Sequence, residues 1–90
     1  MKFTLETTSL FDKQFKKLPP AFQALIAAYL KKNVEGSTDP RSCGKVLNGN
    51  LTGLWRYRVG DYRIICDIQE TRLVVLALVV GHRRDVYKKH

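Results

Sequence analysis

The residues of this chain best placed by type and spacing to do chemistry are Arg56, Arg58 and Arg63, which flank a Gly60-Asp61 step. Two alternating runs joined by that dipeptide predict a β-hairpin with a two-residue turn, glycine standing first as a type II′ turn requires. Pairing outward from the turn sets Val59 opposite Tyr62, Arg58 opposite Arg63, Tyr57 opposite Ile64 and Arg56 opposite Ile65. One face then collects Trp55, Tyr57, Val59, Tyr62, Ile64 and Cys66. The other collects Leu54, Arg56, Arg58, Arg63, Ile65 and Asp67. Like charges directly opposite on neighbouring strands are unfavourable by roughly 0.2–1 kcal/mol, and a broken local rule of this kind tends to mark a functional site. An anion lodged between the arginines removes the repulsion. Phosphate suits the place, because a guanidinium fork meets it with two hydrogen bonds. Charge alone does not separate this from three solvated arginines splayed in water.

A second polar stretch, residues 80–87 (VGHRRDVY), follows the last apolar run. Gly81 is expected to break that strand and swing His82, Arg83 and Tyr87 towards a sheet edge. Histidine titrates near neutrality and so can move protons, yet a lone histidine or tyrosine is more often a bystander than a catalyst. Cys43 and Cys66 fit neither a disulfide framework nor a zinc site, and read as two free thiols of a reducing compartment. No metal-ligand cluster or Cys/His nucleophile pair is present in the pattern, so neither a metal nor another cofactor is expected.

The elements that must position these residues are legible in outline. Residues 2–7 alternate loosely and predict a short strand. Ser9 with Asp12 three residues on resembles a helix-start capping arrangement, and Phe11, Phe15 and Leu18 follow at helical spacing. Pro19-Pro20 ends that helix, and Pro20 can open the next. Phe22, Leu25, Ile26, Tyr29, Leu30 and Val34 form its apolar stripe, with Gly36 as the stop. Residues 35–45 are a polar, turn-rich loop, and Val46-Leu47 suits one short extended piece. Residues 54–59, 62–68 and 73–80 predict three strands of an antiparallel meander. The expected fold is α+β: a short N-terminal strand, a helical hairpin, then the meander, with the helices packed on one face of the sheet. The run 73–80 is apolar on both faces, so its second face needs either the chain's own loops or a partner, and a disordered acidic-hydrophobic segment would suit it.

Ninety residues make one domain, spanning 1–90. The hydrophobic fraction of 44% excludes a disordered chain. Sixteen basic against eight acidic residues give +8, and that balance points to a polyanionic partner. The excess is uneven: residues 1–40 hold 6 basic and 4 acidic groups, residues 41–90 hold 10 and 4. The first half favours lysine near helix ends, where the dipole accounts for it. The second half favours arginine, whose planar fork suits bidentate phosphate contacts. Residues 1–8 lack the apolar core of a signal peptide, and the longest apolar run is too short to cross a bilayer, so a cytoplasmic location and no membrane role are expected.

These pieces together resemble a toxin of the RelE/ParE superfamily from bacterial toxin–antitoxin pairs, most closely its RelE branch. The resemblance spans nearly the whole chain. It is carried by FDKQFKKLPP (11–20) and, more specifically, by LWRYRVGDYRI (54–64) and VGHRRDVY (80–87) at their observed separation. It implies a translation-dependent ribonuclease that cuts messenger RNA in the A site of the 70S ribosome and is silenced by a RelB-like antitoxin. It also implies roles: Arg56 and Arg58 clamp RNA phosphates, Arg63 supports the scissile phosphate, Arg83 stabilises the leaving oxygen, and Tyr87 completes the set. Lys45 and Arg84 join them as further RNA contacts, and His82 is kept as a second acid–base candidate. Departures are an Arg/Arg pair where Lys/Lys is often found, a shorter hairpin turn, and His82 at an often-lysine position. The chemistry expected is attack by the RNA's own 2′-hydroxyl, which asks the protein for in-line geometry, charge stabilisation and proton transfer. The alternatives are a ParE-like inhibitor of DNA gyrase that cuts no RNA, or a degenerate member that only binds an antitoxin.

Overall fold

The computed structural model describes residues 1–87. Its elements are β1 (Thr4–Thr7), α1 (Ser9–Lys16), α2 (Pro20–Asn33), β2 (Lys45–Val46), β3 (Trp55–Val59), β4 (Tyr62–Gln69) and β5 (Val74–His82), with 3₁₀ turns at Pro40–Ser42 and Gly49–Leu51. The sheet has five strands in the order β1-β5-β4-β3-β2. The class is the α+β one expected, but the sheet is wider than a meander plus a loose strand. β1 lies parallel beside β5, and β2 pairs antiparallel with β3.

The hairpin forms in the register that its alternation dictates, with Arg58 opposite Arg63 and Arg56 opposite Ile65. Gly60 sits at φ +59 and Asp61 outside the positive-φ region, the pattern of a type II′ turn. Both helices pack on the face that carries Tyr57, Ile64 and Cys66, and Ile26 and Leu30 of α2, with Val34 just past its end, meet them in one core. The apolar stripe of α2 is narrower than expected. Phe22 reaches only the edge of that core, against the Tyr62 ring at 4.8 Å, and Leu25 is exposed.

Gly81 does not break β5. The strand runs through His82, and its irregularity lies earlier: Cys66 pairs with Ala77 but Ile65 with Val79, so Leu78 is an extra residue. Such a bulge needs other partners for its backbone, and α1 supplies them. Thr8 Oγ1 donates to the Leu78 carbonyl at 2.7 Å, and the Val80 N–H donates to Gln14 Oε1 at 2.9 Å. Thr8 rather than Ser9 is also the helix N-cap, its oxygen accepting from the Phe11 N–H at 3.0 Å. One hydroxyl thus starts α1 and fastens it to the β5 edge that β1 leaves bare. Thr8→Ala should lower unfolding free energy by about 1–2 kcal/mol, the usual loss of a cap, with Thr8→Ser recovering most of it in a urea titration. An unchanged midpoint would show that the hydroxyl carries no weight.

Around Val79 the second face of β5 is covered by the chain itself. Leu47, Ile65, Val79 and Val86 form a small buried cluster there, bordered by Leu51, Leu54 and Leu78. Of the two covers left open for the apolar run 73–80, the loop after β2 and the turn after β5 supply one at this end of the strand.

Candidate active site

The arginines stand on the sheet face opposite the helices because the pleat of β3 and β4 puts them there. Arg58 and Arg63 are directly paired, and two residues along β3, on its other side, Arg56 is paired with Lys45 of β2. Two like-charge pairs therefore lie side by side, and a basic stripe crosses three strands from Arg63 to Lys45. Neither Arg56, Arg58 nor Lys45 forms an ion pair among the described residues. Arg63 is half-buried and held in place: its Nη1 donates to the carbonyls of Gly60 (2.9 Å) and Tyr62 (3.0 Å). Burial, and then the neighbouring charges of Arg58, Arg56 and Arg83, make the Arg63 guanidinium hold its proton less tightly than an ordinary arginine, with Tyr87 opposing. An anion at this point relieves that repulsion.

Two contacts place Arg83 at the hairpin turn. Its N–H donates to the Asp61 carbonyl at 2.7 Å, and its Nε lies 3.7 Å from Asp61 Oδ1. From there the chain turns tightly, the N–H groups of Asp85 and Val86 both donating to the His82 carbonyl. Val86 is buried against Gly81, where a Cβ would lie 3.5 Å from the Val86 Cβ. Gly81 therefore lies under this valine within the strand and does not end it. Seating Val86 carries Tyr87 over the arginine face, and Arg56 Nη1 donates to Tyr87 Oη at 3.4 Å.

His82 is not brought to this group. It pairs with Tyr62, whose side chain is on the helix face, and its ring meets the Tyr62 ring edge-on at 5.8 Å. Its Nδ1 accepts from the Arg84 N–H at 3.2 Å. Arg84 itself is exposed in the turn. Among the described residues no three His, Cys, Asp or Glu side chains cluster as a metal site would need, and no helix is long and apolar enough to cross a membrane.

At the sheet edge beyond β2 a small cleft of about 220 Å³ is lined by Tyr29, Gly44, Lys45, Arg56 and Arg58. Gly44 is obligatory there. Its φ is +85, and a Cβ would strike the Arg56 carbonyl and come within 2.6 Å of the Trp55 indole nitrogen. That nitrogen donates to the Cys43 carbonyl at 2.7 Å, locking the loop against β3. The Tyr29 hydroxyl, pushed up to about 12 by burial and by Cys43, stays protonated at any physiological pH. Burial likewise raises the Cys66 thiol and the Tyr57 phenol, whose hydroxyl donates to the Pro40 carbonyl at 2.6 Å. These are structural groups. Sequence reasoning missed the cleft, since Tyr29 read only as part of a helix stripe.

The fold recurs in known proteins. The family model for the ParE toxin of type II toxin–antitoxin systems (parDE) matches residues 5–87. This chain belongs to the RelE/ParE superfamily of type II toxins. Toxin RelG of Mycobacterium tuberculosis is 30% identical over 89 residues, covering 99% of this chain and 100% of that protein. Among solved structures, the toxin–antitoxin complex RelBE2 of Mycobacterium tuberculosis superposes with a TM-score of 0.82 at 28% identity, over 94% of this chain and 95% of that one. The archaeal RelE–RelB complex of Pyrococcus horikoshii shares the fold at TM-score 0.70 and 23% identity, over 96% of this chain and 100% of that one. The family model carries the ParE name while these relatives carry RelE-type names, so kinship alone leaves the toxin's target open.

Proposed function

We propose that this toxin is an endoribonuclease that cuts messenger RNA in the ribosomal A site, as the RelE-like motifs imply. The observation that supports it most directly is the convergence of Arg56, Arg63, Arg83 and Tyr87 from three separate segments onto one sheet face, with Tyr87 Oη 3.4 Å from Arg56.

In this reading Arg56, Arg58, Lys45 and Arg84 hold the RNA backbone, and Arg63 binds the oxygens of the scissile phosphate. The 2′-hydroxyl oxygen bonds to phosphorus as its proton passes to Tyr87 acting as phenolate, and the bond from phosphorus to the 5′-oxygen breaks. A 2′,3′-cyclic phosphate and a 5′-hydroxyl result, with Arg83 steadying the charge on the leaving oxygen until solvent protonates it. The chemistry leans on the ribosome to align the RNA, and free RNA is cut slowly. His82, on the other face, has no step. The toxin acts in the cytoplasm and is silenced by a RelB-like antitoxin, a partner suggested by the RelE–RelB complexes among its structural neighbours.

The test is to map messenger RNA ends during arrest in growing cells and to run a supercoiling assay with purified gyrase alongside. Cuts in frame with codons and unaffected supercoiling are expected. Intact messages with inhibited gyrase would assign the toxin to the ParE mode that its family model's name favours.

A further inference from the structure

The stripe of cations does not stop on the open face. Arg56 is paired with Lys45, and at that point β2 ends, so β3 runs on past Arg56 without a strand beside it. The notch left at this edge is the cleft of about 220 Å³, and its far wall is Tyr29 of α2. Pockets for whole small molecules are usually about 300–1,000 Å³, so this one suits a fragment the size of a single nucleobase or ribose. Its chemistry is two-sided: three cations for a backbone phosphate, and one neutral phenol for a hydrogen bond. Among the described residues Lys45 and Arg58 make no side-chain hydrogen bond or ion pair, and the Arg56 side chain hydrogen-bonds to Tyr87. The Tyr29 ring is braced against the Tyr57 ring at 5.9 Å and its hydroxyl hydrogen-bonds with the Cys43 side chain, so the phenol oxygen, which can still accept, is held in a fixed position. Gly44, at φ +85, lets the loop wall of the cleft lie directly against the Arg56 carbonyl and the Trp55 ring.

We propose that this edge cleft is a nucleotide subsite, in which Lys45, Arg56 and Arg58 hold an RNA phosphate and the Tyr29 hydroxyl reads the neighbouring base. The subsite rests on the RNA-cleaving reading for its substrate, and Tyr29 becomes a specificity-determining residue. A strand held by Arg63 and drawn along the stripe through Arg58 and Arg56 turns over the sheet edge and drops one nucleotide into the notch. The phosphate contacts give affinity without sequence preference, whereas a directed phenol discriminates between base edges.

The experiment measures binding of short fluorescent oligonucleotides of A, C, G and U to the purified toxin by anisotropy, using 2′-O-methyl sugars that cannot be cut. The wild-type chain should favour one base over the least favoured by roughly three- to tenfold, the discrimination of one ordinary hydrogen bond. Tyr29→Phe should bring that ratio close to one. Lys45→Gln should weaken all four equally and reduce the slope of binding against salt by about one ion. Lys32→Gln, on the outer end of α2, should change neither. A ratio preserved in Tyr29→Phe, or a Lys45→Gln protein with the wild-type salt slope, overturns the subsite. If the bound bases follow Tyr29 but no message is cut on ribosomes, the cleft stands and the nuclease reading fails. If messages are cut with Tyr29-independent preference, the nuclease stands and the cleft falls. An absence of RNA binding sinks both.

Discussion

Arg63→Ala should leave a folded toxin that no longer arrests growth, with RNA cleavage reduced by about 10²- to 10³-fold, the usual effect of removing one preorganised donor at a developing negative charge. The loss is expected to be one-sided. In the free protein Arg63 is a liability: half-buried, facing Arg58 across the ladder, and with its own charge disfavoured by burial and by three other arginines. Its hydrogen bonds go to the carbonyls of the exposed Gly60 and the half-buried Tyr62, which water can largely satisfy in its absence. Alanine at 63 therefore removes repulsion of roughly 0.2–1 kcal/mol and should raise the melting temperature slightly while removing activity. Such opposite movement of stability and function is the signature of a site kept strained for its task. Arg63→Lys should recover only part of the cleavage, because an ammonium keeps the charge but not the fork. Arg72→Ala is the control: its partner is Glu6 at 3.7 Å, at the far end of the sheet, and arrest should persist. Undiminished arrest in the Arg63→Ala/Arg83→Ala double variant would remove the arginines from the mechanism altogether.

The hairpin was legible from the sequence because its information is local. A two-residue turn fixes the register, the register fixes the faces, and the helix side then has to be the apolar one. The width of the sheet was less legible. β1 meets β5 across seventy residues of chain, and β2 is two residues long, too short for periodicity to register. Thr8 and Ser9 are equally good caps by type. What selects Thr8 is the Leu78 carbonyl exposed by the bulge, a tertiary fact with no local trace. The same holds for the site. The arginines on the hairpin follow from alternation, but the seating of Val86 against Gly81, and hence the place of Tyr87, depends on a glycine that reads as a strand breaker until something is packed against it.

That seating makes Val86 a residue on which catalysis should depend without its touching RNA. Val86→Ser removes apolar packing from the cluster with Leu47, Ile65 and Val79 at a loss of roughly 1–2.5 kcal/mol, in line with other small core truncations. The loss falls mainly on the docking of residues 83–87 and not on global stability, because these residues form a turn outside the helices and strands that can open locally. Arg83 keeps its separate ties to Asp61, so the group released is Tyr87. Cleavage on ribosomes should fall about tenfold or more in Val86→Ser, while urea unfolding shifts little. Tyr87→Phe alone should lose about 10²-fold or more, the lower range for a positioned proton acceptor. The two losses should not add. With the hydroxyl already gone, freeing the turn removes nothing further, so the double variant should cut at nearly the rate of Tyr87→Phe. Gly81→Val should mimic Val86→Ser, since its branches would occupy the seat that Val86 fills. If Val86→Ser instead lowers cleavage by the same factor whether or not position 87 bears a hydroxyl, the turn contributes through some other group. Tyr87 would then lose its assignment as the proton acceptor.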